Sequence, residues 1–138
     1  MNAKKYLLAV LAAFVLYSGL GFGIHEVILK QDYQPLIGQV LRTEEAFADR
    51  IPYLYVANLV FALAFCCIYV KGYEAGKGWL GQGLRFGLIA GTLLAPFALT
   101  EYVVFPVSGW LALKWIGFGY LQIIITGLGV AGVYRPQS

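Results

Sequence analysis

Charge is what this sequence has least of. Only 12% of its 138 residues are charged, ten basic and seven acidic, where a soluble domain carries about 25%. There is one His, two Cys and one Met. A single His excludes bis-His haem ligation within the chain. Cys66 and Cys67 are adjacent, with no C-x-x-C spacing, which argues against thiol redox catalysis and a disulfide scaffold. They read as small buried apolar groups, since a soft-metal carrier would need a second thiolate pair to receive the ion. His25-Glu26 lacks the second His of H-E-x-x-H, and no Ser–His–Asp order or nucleotide-binding glycine fingerprint occurs.

What remains is apolar: 60% of residues are hydrophobic and 16% aromatic. The charges avoid four windows, Tyr6 to Ile24, Ile51 to Val70, Phe86 to Thr100 and Trp115 to Tyr134. A membrane-crossing helix needs about 20 apolar residues. The expected fold is all-α: one domain over residues 1–138, with four transmembrane helices at about 6–29, 53–70, 84–105 and 111–134, paired as two hairpins in a compact bundle. Lys4 and Lys5 before an apolar stretch also suit a signal peptide, but the chain runs on as Gly-rich apolar sequence to Leu29, long enough to span, which favours an uncleaved first helix.

Basic residues set the expected orientation. Lys4, Lys5, Lys71, Lys77, Arg85 and Arg135 fall on one side, which makes both termini cytoplasmic. Lys30, Arg42, Arg50 and Lys114 share the other side with Asp32, Glu44, Glu45 and Asp49. These flanks account for the net charge of +3 without a nucleic-acid partner. Tyr and Trp cluster near the proposed helix ends, as interfacial anchors do.

Between the first two helices, Leu36, Ile37, Val40, Leu41 and Phe47 recur at helix-like spacing. They suggest a short amphipathic helix on the outer surface; the competing reading is a plain solvated loop. Pro52 suits a first helical turn. The segment KGYEAGKGWLGQG, 71–83, lacks the phosphate-loop pattern and reads as a flexible connector. Pro106 to Trp110 is a tight turn. Pro96 should bend or break the third helix.

Glycines mark the expected helix contacts. Gly19 and Gly23 form one G-x-x-x-G; Gly83, Gly87 and Gly91 form two in tandem; Gly127 stands in a Gly-rich fourth helix. In lipid such residues let backbones approach closely, and packing within the chain has first claim on them.

FGIHEVIL, 22–29, aligns with FALTEYVV, 97–104. This is either a parallel hairpin repeat, 6–70 and 84–134, or a chance match of apolar segments. A real repeat puts Glu26 and Glu101 at equivalent depth. Acids inside a span are costly and tend to be functional. The candidate polar cluster is therefore His25, Glu26, Glu101, Tyr102 and Lys114. The competing reading is that these groups snorkel to water at helix ends and that the acids pair with Lys114 or Lys30. His25 and the two acids could also supply metal ligands, although adjacent helix residues point about 100° apart. Asn58, Thr100, Gln122 and Thr126 read as interhelical hydrogen bonders.

The segments GFGIHEVIL, GWLGQGLRFGLIAG with the later Pro96, and GLGVAGVYRP touch three of the four helices. On these the chain resembles small four-helix inner-membrane proteins of bacteria. The resemblance implies fold and location and transfers no activity or cofactor. The chain is also similar in size to small multidrug exporters, which use a glutamate in a span; Glu26 departs from that pattern by lying near a helix end. Three functions follow as expectations. The first is a non-enzymatic accessory or scaffold subunit, in a larger membrane complex or a homo-oligomer. The second is a proton- or cation-coupled carrier or channel using Glu26 and Glu101. The third is a metal or enzymatic site at His25.

Overall fold

A computed structural model describes residues 2–135. Among them the chain is helical, with four helices long and apolar enough to cross a membrane. Helix α1 runs Ala3–Phe22, capped by the Asn2 side chain accepting from the Lys5 N–H. It continues as a π-helical turn, Gly23–Ile28. Short helices α2, Lys30–Tyr33, and α3, Glu44–Ala48, occupy the first loop. The remaining spans are α4, Ile51–Lys71, α5, Trp79–Val104, and α6, Gly109–Val133. Lys5 Nζ donates to the Arg135 carbonyl at 2.5 Å, so the two ends of the described chain lie at one end of the bundle. That end is called the terminal end below, and the opposite one the loop end.

Three sequence expectations change. The first loop is not one amphipathic helix. Pro35 falls in a 3-10 turn, Gln34–Leu36, and Gly38 takes φ 78°, a left-handed conformation that glycine adopts without a Cβ penalty. Helix α3 starts afresh behind Thr43, whose hydroxyl accepts from the Ala46 N–H. The glycine-rich connector is also shorter than expected: Gly81 and Gly83 already belong to α5. Gln82 closes that loop, its side chain accepting from the Glu74 N–H and donating to the Lys77 carbonyl, both at 2.9 Å. Finally, α5 runs unbroken through Pro96. The ring removes one N–H, so the Thr92 carbonyl loses its helical donor, while the chain on either side keeps its helical path.

Helix α1 packs between α4 and α6, and α6 packs along α5. The α5/α6 seam is built on missing side chains. A Cβ on Gly83 would lie 2.8 Å from Ala131 Cβ, and one on Gly87 2.7 Å from Ile124 Cα. On the facing side, a Cβ on Gly127 would lie 3.0 Å from the Gly83 carbonyl, while Gly91 accommodates the Tyr120 ring. Gly19 and Gly23 differ from expectation, because a Cβ on either would meet nothing within 4 Å. Helix α1 makes its contacts instead through Ala9, Val10 and Ala13, all buried, and through Leu16, which fills the space beside Gly129.

Polar side chains tie each packed pair. Asn58 donates to Ser18 at 3.0 Å across α4 and α1. Gln122 donates to the Tyr17 carbonyl at 2.8 Å across α6 and α1. Tyr120 donates to the Leu88 carbonyl at 3.1 Å and touches the Thr92 hydroxyl across α6 and α5. Helices α4 and α5 meet near the terminal end, where the Phe86 ring lies 4.5 Å from Phe65 and 5.3 Å from Tyr69. Toward the loop end, Pro52–Ala57 of α4 and most of α5 beyond Thr92 are exposed, Leu94, Ala95 and Ala98 being partly buried.

Candidate functional site

The polar groups gather at the loop end, where α1 ends and α6 begins. The π turn places one extra residue per turn, closed by the Leu29 N–H donating to the Ile24 carbonyl at 2.8 Å. Leu29 is fully buried. With Ile24 and Leu111 it forms a small apolar core on which Tyr33, Leu36, Val107, Trp115 and Phe118 pack. This core pins α2 across the bundle end and brings its side chains over α6.

Two polar chains result. Trp115 Nε1 donates to the Tyr33 hydroxyl at 2.8 Å, and that hydroxyl lies 2.6 Å from His25 Nδ1. The indole uses one oxygen lone pair, so the phenol's hydrogen is available to His25 Nδ1 when that nitrogen is unprotonated. The His25 and Tyr33 rings are stacked, with an interplanar angle of 11°. Beside them, Lys114 Nζ donates to both oxygens of Asp32 at 2.8 Å and lies 5.8 Å from the Trp110 ring centroid. Both partners of this ion pair are about three-quarters shielded, with side chains 27% and 25% exposed.

Burial pushes the Tyr33 phenol up to about 12. The Trp115 hydrogen bond opposes this, and the charges of Asp32, Glu101 and Glu26 add to it. Three carboxylates therefore act on one phenol. At the terminal end, Glu74 is held below the usual carboxylate range by hydrogen bonds from Lys77 and Arg85.

The structure divides the expected cluster. His25 joins Tyr33, and Lys114 pairs with Asp32 rather than with Glu26 or Glu101. Glu26 and Glu101 are exposed, and neither makes an ion pair or side-chain hydrogen bond among the described residues. Tyr102 is 44% exposed, with its hydroxyl beside Gly109. Asp32, Tyr33 and Trp115 escape a reading of the sequence. Asp32 and Tyr33 each reach a partner 82 residues away, a separation at which spacing carries no signal; Tyr33 and Trp115 look like ordinary interfacial aromatics. Among the described residues, no three or more His, Cys, Asp or Glu side chains come together in a way that could hold a metal ion. Comparison of the chain with protein-family models, curated proteins and solved structures finds no match in any of the three.

Proposed function

We propose that this chain is a non-enzymatic subunit of a membrane assembly, an accessory or scaffold element of the bacterial inner membrane. Both termini would be cytoplasmic, on the basic side where Lys5, Lys77, Arg85 and Arg135 cluster. The observation that supports this reading is where the polar groups of the spans are spent. Asn58, Gln122 and Tyr120 cross-link the helices, and Thr100 donates its hydroxyl to the Pro96 carbonyl, while Glu101 stands on an exposed half of α5 with no side-chain partner among the described residues. A carboxylate on a lipid-facing helix is costly, and cover from a neighbouring protein removes that cost. Purification from native membranes in mild detergent tests the reading. The expected product is an assembly larger than one chain; a lone monomer would overturn it.

A second reading, a small proton- or cation-coupled carrier or channel, draws on the acids around Tyr33. Proteoliposome flux that both Glu26→Gln and Glu101→Gln abolish would favour it over the first.

A further inference from the structure

Tyr33 ties α2 to two other elements through one oxygen. Its hydroxyl accepts from Trp115 Nε1 of α6 at 2.8 Å and lies 2.6 Å from His25 Nδ1 of the π turn. No third group hydrogen-bonds it among the described residues. The indole hydrogen occupies one lone pair, so the hydroxyl's own hydrogen is directed at His25. That arrangement is complete only while Nδ1 is bare and the single ring proton sits on Nε2.

Protonation of His25 undoes it. The imidazolium carries a hydrogen on both nitrogens, so two N–H donors converge on one phenol oxygen and the phenol's hydrogen loses its acceptor. His25 is exposed, while Tyr33 is half-buried, so solvent protons reach the imidazole ring. An imidazole changes charge between about pH 5 and 8. Tyr33 itself, pushed up to about 12, stays neutral across that range. The neighbouring charges draw an imidazolium away from the phenol. Glu26 follows His25 in the same turn, α2 carries Lys30 and Asp32, α5 brings Glu101 and α6 brings Lys114. Lys114 takes Asp32. Glu26 and Glu101 are exposed and make no ion pair among the described residues, which leaves them and water to receive the new charge.

We propose that His25 is a proton sensor for the loop end: neutral, it holds Tyr33 and hence α2 against α6; charged, it releases that hold. Helix α2 keeps two other ties, the buried Leu29 and the Asp32–Lys114 pair, so it loosens rather than unfolds. It heads the loop that runs to α4, and that loop loosens with it. Losing one hydrogen bond multiplies the open fraction about tenfold. The device needs no partner chain and is independent of the subunit reading.

The test measures how fast a polar maleimide reaches Leu36→Cys in purified full-length protein carrying Cys66→Ala and Cys67→Ala. Leu36 packs with Tyr33 on the small core, and Gln39 is exposed in the same loop. Dividing by the rate at Gln39→Cys cancels the pH dependence of the thiol. With His25 present, the ratio is expected to rise about tenfold from about pH 8 to about pH 5. With His25→Gln, a neutral acceptor, it should stay low at both. With Tyr33→Phe it should be high at both, because the bond is absent whatever the charge on His25. A ratio that stays flat with His25 and Tyr33 in place overturns the proposal. So does a rise that persists in His25→Gln, which assigns the release to a carboxylate, Asp32 first. Fast labelling of His25→Gln at both pH values also refutes it, since a neutral acceptor then fails to hold α2. A rise that survives Tyr33→Phe removes Tyr33 as the link and sinks it equally.

Discussion

Replacing Gly87 by Ala is the sharpest test of the α5/α6 seam. The added Cβ would sit 2.7 Å from Ile124 Cα and 3.3 Å from the Ile124 carbonyl oxygen. Carbon atoms in ordinary contact are about 3.5–4.0 Å apart, so the helices must separate by about an ångström. The obstacle is backbone, with no rotamer to relieve it. Overpacking of this kind costs about 1–3 kcal/mol. The upper end applies, because separation also loosens the neighbouring contacts of Gly83 and Gly91. Ala favours the helix over Gly by about 1 kcal/mol, so the expected net loss is about 2 kcal/mol. Gly19→Ala is the control. It gains the same helical preference and meets nothing within 4 Å, so it should be neutral or stabilising by up to about 1 kcal/mol. Denaturant unfolding in detergent, followed by tryptophan fluorescence, measures both. The reasoning fails if Gly87→Ala unfolds within about 0.5 kcal/mol of the parent, or if Gly19→Ala is equally harmful.

Three further outcomes are expected. The Tyr69 hydroxyl is buried without a hydrogen-bond partner among the described residues, so Tyr69→Phe should stabilise the protein by about 1 kcal/mol, read in the same unfolding assay. The Asp32–Lys114 pair should show a coupling of about 1 kcal/mol in a double-mutant cycle with Asp32→Asn and Lys114→Met, because its partners are shielded but still reach solvent; zero coupling would mean that it does not hold α2 in place. The Tyr33 phenol should ionise near 12 against an ordinary 10.0. Its neutral form is thus favoured by the fold, and the stability it adds is present below pH 10 and lost as pH rises toward 12. Phenolate absorbance should lose one tyrosine's share of the late amplitude in Tyr33→Phe, and an unchanged late amplitude would show that Tyr33 does not contribute to it.

The spans and hairpins were legible because a bilayer imposes a one-dimensional rule: a run of about 20 residues must lack charge, and that is visible without knowing the neighbours. The helix start at Pro52 was legible for a similar local reason, since proline's fixed φ suits a first helical turn, whereas the fourth long helix begins at Gly109 behind the Ser108 cap, inside the stretch read as a turn. The first loop misled because its apolar spacing suits a helix, yet Pro35 and Gly38 redirect the backbone within four residues.

Glycine spacing marked which faces were small but not which were used. Gly19–Gly23 and Gly83–Gly87 read alike along the chain, and only the packing of α5 on α6 separates them. The loop-end cluster depended wholly on tertiary structure. His25 meets Tyr33, and Asp32 meets Lys114, because a π turn and the buried Leu29 carry α2 over the start of α6. Sequence by itself therefore determined how many times this chain can cross a bilayer, since that depends on the solvation of each segment alone. Tertiary structure decided which glycines are filled and which charges meet, because those contacts join residues far apart along the chain.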